Sequence, residues 1–146
     1  DACVASMMIA EAAAYYRSRD MTVYDALMSV FERYGFSVEK TLNLVMPGLD
    51  GAEKMKKMMQ GLRSEPPKDI GGVSVLSVKD YSQGLDGLPK ANVLSFALEE
   101  GSTLIVRPSG TEPKVKVYIM TSGKDEAEAK AKEERLETGF KEKHAN

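Results

Sequence analysis

Two runs of alternating apolar residues, separated by a short polar loop, set the tightest limit on what this chain can fold into. Leu104 and Val106 lead into the loop; Val115, Val117 and Ile119 leave it, with Lys114, Lys116 and Tyr118 interleaved. A period of two puts the apolar set on one face of a strand and the polar set on the other. Leu104–Met120 therefore reads as two strands joined by Arg107-Pro-Ser-Gly-Thr-Glu-Pro.

That loop is dense in groups that hold anions. Arg107 offers a permanently charged planar fork that matches a phosphate bidentately. Pro108 restricts Arg107 to extended geometry, so the arginine leaves its strand in a defined direction. Ser109 and Thr111 add hydroxyl donors. Gly110 permits positive φ and close backbone approach, which lets successive N–H groups converge on an anion. Lys114 and Lys116 make one face positive, and Lys116 joins the loop's face only if the strand register allows it. The same residues also fit an ordinary connection with a surface arginine. Glu112 is a lone carboxylate, so a metal role is not expected, and Ser109 has no neighbouring His or Asp for acyl transfer.

The flanking chain reads as support. Ala2–Tyr16 is apolar on nearly every side with Glu11 its only charge, the pattern of a helix buried on several sides. Thr22 and Asp25 suggest a capping box for a second helix with Val23, Leu27, Val30, Phe31 and Tyr34 on one face, stopped by Gly35. This αα unit has more apolar surface than one partner could cover, and we expect it to lie against a sheet outside this chain. The period changes near Gly35–Glu39, where we place a hinge and a division into 1–37 and 38–146. An extended stretch to Val45 follows. Asp50 is expected to cap a helix with Ala52, Met55, Met58, Met59 and Leu62 inward and Lys54, Lys56 and Lys57 on a solvated face. Strands are expected at Val73–Tyr81, Val93–Leu98 and Thr103–Val106, with an exposed, mobile loop over Ser82–Asn92 and a hairpin turn at Glu100-Gly101. A charged helix over Lys124–Lys143 carries a thin stripe of Ala129, Leu136 and Phe140. Lys132 sits where a fourth apolar residue belongs, and Gly139 predicts fraying. His144 reads as solvated and without function. A run of strands with helices to one side gives an α+β two-layer domain after the αα unit.

Composition narrows function. The net charge of −2 gives no general attraction to nucleic acid or an anionic membrane, so any anion site is local. The single Cys3 excludes an internal disulfide and fits a cytoplasmic setting. The nine methionines read as core filling. Asp1, not Met, opens directly into a helical pattern, and we expect a piece of a longer protein.

Arg107-Pro-Ser-Gly-Thr-Glu-Pro-Lys-Val-Lys-Val-Tyr resembles the phosphate-binding loop of the α-D-phosphohexomutases, the phosphoglucomutase/phosphomannomutase family. Asp1–Tyr16 resembles the end of that family's third domain. Leu42–Ala52 and Pro89-Lys-Ala-Asn-Val-Leu resemble its fourth. The resemblance implies a TATA-binding-protein-like two-layer fold, an antiparallel sheet with helices on one face. It implies a hexose phosphate substrate, the remaining domains of the same enzyme as partners, and no nucleic acid or membrane. It implies that Arg107, Ser109, Gly110, Thr111 and, more weakly, Lys116 grip the phosphate that is not transferred. The family's catalytic serine, the acidic loop for Mg²⁺ and the sugar-selecting loop have no counterpart here. We therefore expect no catalytic residue, no metal ligand and no activity from this chain alone, with Mg²⁺ serving only the full-length enzyme. The rival expectations are a stand-alone phospholigand or nucleic-acid-binding module, and a structural domain in which Arg107 pairs with a carboxylate such as Glu112.

Overall fold

The computed structural model describes residues 1–144, which divide into two units, Asp1–Phe36 and the part from Ser37 onward. In the first unit, α1 (Ala2–Arg17) is capped by the Asp1 carboxylate, which accepts from the backbone N–H groups of Cys3 and Val4. The second helix, α2 (Val23–Tyr34), starts on a complete capping box: Asp25 N–H donates to Thr22 Oγ1, and Thr22 N–H donates to Asp25 Oδ2 at 2.7 Å. The Thr22 hydroxyl also donates to Asp25 Oδ2, and that bond, followed by the one from Thr22 N–H, holds the Asp25 carboxyl below the usual carboxylate range. Gly35 ends α2 with φ 94°. No residue of α1 is buried, and Met7 and Met8 are 72% and 66% exposed.

The second unit holds one six-stranded sheet in the order β1-β6-β5-β4-β3-β2. The strands are β1 (Phe36–Val45), β2 (Asp69–Ile70), β3 (Val73–Asp80), β4 (Leu94–Leu98), β5 (Thr103–Pro108) and β6 (Lys114–Gly123). Neighbours from β2 to β6 pair antiparallel. From Ser37 on, β1 also runs against β6: Ser37 reaches the Thr121 carbonyl, and Met46 N–H donates to the Pro113 carbonyl at 2.8 Å. The sheet has more strands than the sequence pattern predicted. β2 is only two residues long, too short to show a period, and β6 runs to Gly123 because polar Thr121 is buried, with Oγ1 donating to the Ala129 carbonyl at 2.8 Å.

Helices α3 (Gly51–Ser64) and α4 (Glu126–His144) cover one face of the sheet. The core joins Met59, Leu62, Leu136 and Phe140 to Phe96, Leu104, Val106, Val115, Val117 and Ile119, all at most 2% exposed.

Several local expectations are corrected. Asp50 stands before α3 but makes no capping bond; its carboxylate pairs with Lys54 at 2.9 Å instead. Ala52 is exposed. Ser82–Asn92 is exposed but tied down by its own backbone, with Gly84 and Ala91 N–H both donating to the Tyr81 carbonyl. The buried stripe of α4 is completed by Glu133, not broken at Lys132. Its carboxylate lies 3.4 Å from Lys40 of β1, and Lys40 also bonds Glu137 at 2.5 Å. Gly139 does not loosen α4, which is helical through His144. A Cβ at this position would meet Gly71 Cα at 2.2 Å, so glycine is what lets the helix touch the turn between β2 and β3. His144 is half-buried against Phe140, ring centroids 4.7 Å apart, and lines a recess with Lys54 and Lys57. Burial, then the charge of Lys143, hold its imidazole below the ordinary value.

Two expectations follow for stability. Gly139→Ala should cost about 1–3 kcal/mol, the scale of overpacking. Gly61→Ala, where a Cβ meets nothing, should gain about 0.5–1 kcal/mol through helix propensity. Urea denaturation of both variants checks the sign of each. For His144, the depressed folded value means the unfolded state takes up the proton first. Stability is therefore complete above about pH 6.5 and declines below it as the folded value is approached. Melting temperatures from pH 7.5 to 5.5 should fall less steeply for His144→Gln than for the wild type.

Candidate functional site

The loop that follows β5 is positioned by pairs of buried residues. Leu104 stands opposite Ile119, Val106 opposite Val117 and Pro108 opposite Val115. Alternation then sends Arg107 to the open face of the sheet, directly opposite Lys116. The register that the sequence left open is thus resolved in favour of a shared face.

Residues 109–114 close tightly. Ser109 N–H donates to the Lys114 carbonyl and Lys114 N–H to the Glu112 carbonyl, each at 2.8 Å. Ser109 Oγ accepts from the N–H groups of Thr111 and Glu112 at 3.4 and 3.3 Å. These long bonds aim two backbone donors at one point, with the serine oxygen resting there. Arg107, Ser109, Gly110, Thr111 and Lys116, the five residues singled out by sequence, line one concavity of about 360 Å³ together with Pro108.

Arg107 makes no ion pair among the described residues, nor does Lys116. Glu112 instead bonds Lys114 at 2.5 Å. That hydrogen bond, with the charges of Lys114 and Lys116, holds the Glu112 carboxyl below its ordinary value. The pairing of Arg107 with Glu112, the partner that a purely structural reading suggested, is not formed. Two cations stand opposite one another on paired strands, an arrangement that destabilises a sheet.

Gly110 departs from expectation, because its φ is not positive. A Cβ built there meets nothing within 4 Å. The fold itself does not demand glycine at this position.

A second concavity, about 510 Å³, lies on the helical side of the same loop. Ser109 and Gly110 face Lys56, Gln60 and Arg63 of α3, and Asn92, across a floor that includes Met55 and Met59. The close seating of α3 sets this arrangement, since a Cβ on Gly51 would strike the Met46 carbonyl at 2.1 Å and Pro113 at 3.0 Å. Sequence reading placed Lys56 on a solvated face and passed over Arg63 and Asn92. One signal was present: Lys54 and Lys57 each have a carboxylate four residues earlier and pair with it at 2.9 Å, whereas Lys56 has Ala52 there.

Among the described residues no group of three or more His, Cys, Asp or Glu gathers as a metal site would require. None of their helices is long and apolar enough to cross a membrane.

The model of the phosphoglucomutase/phosphomannomutase C-terminal domain matches residues 48–137. A phosphoglucomutase of Staphylococcus aureus is 34% identical over 109 residues, covering 67% of this chain and 20% of the relative. That of Staphylococcus haemolyticus is 32% identical over 114 residues, covering 70% and 21%. The chain thus spans about a fifth of the length of the curated relatives it matches. Among solved structures, the open form of the exocytosis-sensitive phosphoprotein pp63/parafusin, a phosphoglucomutase from Paramecium, superposes with a TM-score of 0.51. That match covers 82% of this chain and 22% of the other, and at 19% identity it speaks for the fold.

The geometry yields a prediction about the loop alone. Gly110→Ala should leave the chain as stable as the wild type or up to about 1 kcal/mol more so, through the unfolded state. Thermal and urea unfolding check it, and a clear loss of stability would return Gly110 to a structural role.

Proposed function

The chain belongs to the phosphoglucomutase/phosphomannomutase family, and on that premise we propose that it is the substrate-phosphate-binding part of a phosphohexomutase. The full enzyme interconverts hexose 1-phosphate and hexose 6-phosphate. Arg107, Ser109, Gly110 and Thr111, with Lys116, hold the phosphate that does not react. The observation that carries this reading is the unpaired Arg107 facing Lys116 on the open side of the loop, with backbone donors aimed beside them.

In such a site the guanidinium takes two phosphate oxygens, Lys116 supplies a second positive charge, and the loop N–H groups and hydroxyls take the remaining lone pairs. Ser109 turns from acceptor to donor when a phosphate oxygen replaces its own hydroxyl between the two N–H groups. No bond is made or broken by these residues. They fix one end of the sugar phosphate so that its other end can be oriented elsewhere. The chain by itself binds and does not catalyse. The described residues do not suit Mg²⁺, so no step is assigned to a metal here. The exposed apolar surfaces of α1 and α2 are the seat of other domains of the same enzyme.

An ¹⁵N-resolved titration with glucose 6-phosphate tests the reading. The wild type should respond at Ser109–Thr111. Arg107→Ala should keep the fold and bind at least about tenfold more weakly, as expected for a lost charge-assisted pair. A wild type with no response at the loop would sink the proposal.

A further inference from the structure

The two edges of the sheet are built differently. At one edge stands β2, two residues long and too short to template another strand. At the other stands β1, ten residues long and paired on one side only, with β6. Val38 and Met46 both turn backbone groups toward β6: the Val38 carbonyl accepts from Thr121 Oγ1, and Met46 N–H donates to the Pro113 carbonyl. Successive residues of a strand direct their N–H and C=O groups to opposite edges. Those of Thr41, Asn43 and Val45 therefore point away from the sheet, and outside it they form no backbone hydrogen bond among the described residues. All three residues are exposed, Val45 to 65%.

Edge strands are ordinarily protected by a charge or a proline. The stretch Thr41–Val45, Thr-Leu-Asn-Leu-Val, has neither. The strand's only lysine, Lys40, is turned to α4 and held by Glu133 and Glu137. Beside this edge, Leu44, Met46 and Met58 line a recess of about 480 Å³ together with Lys54, Lys57 and His144. Lys54 and Lys57 are paired with Asp50 and Glu53, and the His144 imidazole is held below its ordinary value, so the recess carries little net charge at neutral pH.

The strand is also self-complementary. A second copy laid antiparallel about a two-fold axis at Asn43 sets Asn43 against its own counterpart, Thr41 against Val45, and Leu42 against Leu44. Lys40 then falls opposite Met46 and Glu39 opposite Pro47, so no like charges meet. The outward groups of Thr41, Asn43 and Val45 are the ones that bond in this register. We propose that the free edge of β1 is an interface between two copies of this chain, joined through Thr41–Val45 into one continuous sheet. Leu42 of the second copy enters on the helical face beside Leu44, where the recess gives it an apolar floor.

Sedimentation equilibrium of the full chain tests this. The wild-type mass should rise from that of a monomer toward that of a dimer between about 10 µM and about 1 mM. Amide exchange at Thr41, Asn43 and Val45 should slow over that range, whereas Leu42 and Leu44, whose N–H groups already face β6, should not change. Thr41→Lys combined with Val45→Lys sets like charges opposite one another across the axis and should weaken association at least about tenfold. Thr41→Glu combined with Val45→Lys keeps the same lysine but faces it with a glutamate, and should restore or exceed the wild-type association. A wild type that stays monomeric throughout overturns the proposal. So does undiminished association of the double lysine variant, which would move self-association to another surface such as that of α1 and α2. A glutamate–lysine variant as weak as the double lysine one overturns it as well.

Discussion

Everything at the loop depends on the register between β5 and β6. Leu104, Val106, Val117 and Ile119 are fully buried, and a slip of one residue in either strand would turn that strand's two to the opposite face. Each such side chain is worth about 1.5–3 kcal/mol when buried. The repulsion of Arg107 and Lys116 across the pair is on the order of 1 kcal/mol or less. Burial wins by a wide margin, so the sheet can hold two cations face to face at its end without yielding. Among the described residues no carboxylate pairs with either cation, and Glu112 is bonded to Lys114 instead.

The second layer makes that sheet rigid where it must be. The Gly139–Gly71 contact lets α4 sit against the turn before β3, and Phe140 and Leu136 then fill the space beneath the central strands. At the other edge, Lys40 ties β1 to α4 through Glu133 and Glu137. Glu133 Oε1 is buried without a hydrogen bond and relies on an ammonium 3.4 Å away. Such a pair adds little net stability, because desolvation offsets attraction. Its effect is directional: Lys40 has one place to go, and that fixes the start of β1 against the helix. The Pro113 carbonyl, bonded to Met46, ties the loop's far end to the same strand.

Much of this was legible in the sequence, for reasons that differ by element. Strict alternation announced β4, β5 and β6 because both of their faces have distinct solvents. Thr22 and Asp25 announced the start of α2 because capping is decided by residues three apart. The five loop residues that their chemistry singles out share one concavity. Several misses depend on partners distant in the chain. Gly139 reads as a helix breaker until Gly71 is brought against it, 68 residues away in sequence. Glu133 reads as surface until Lys40 arrives. His144 reads as solvated until Phe140 and the recess beside β1 enclose it. Lys56 was hidden more thinly, since its lack of a carboxylate at the preceding turn was already visible.

The loop's internal bonds bear on how it could serve a ligand. An empty anion site built from free N–H groups would be solvated and poorly ordered, and binding would have to order it. Here Ser109 Oγ occupies the converging point of two N–H groups at distances longer than a strong bond, so the donors stay aimed at little cost. A phosphate oxygen, carrying charge, makes the stronger bond to both and displaces the hydroxyl, which can then donate in turn. Gly110 leaves the approach open on one side, and the bond between Glu112 and Lys114 engages the loop's only carboxylate. Charge that would oppose the ligand is thus tied up locally, and charge that would favour it is left unpaired. A loop whose sole task was to connect two strands would have no reason to separate its charges in that way.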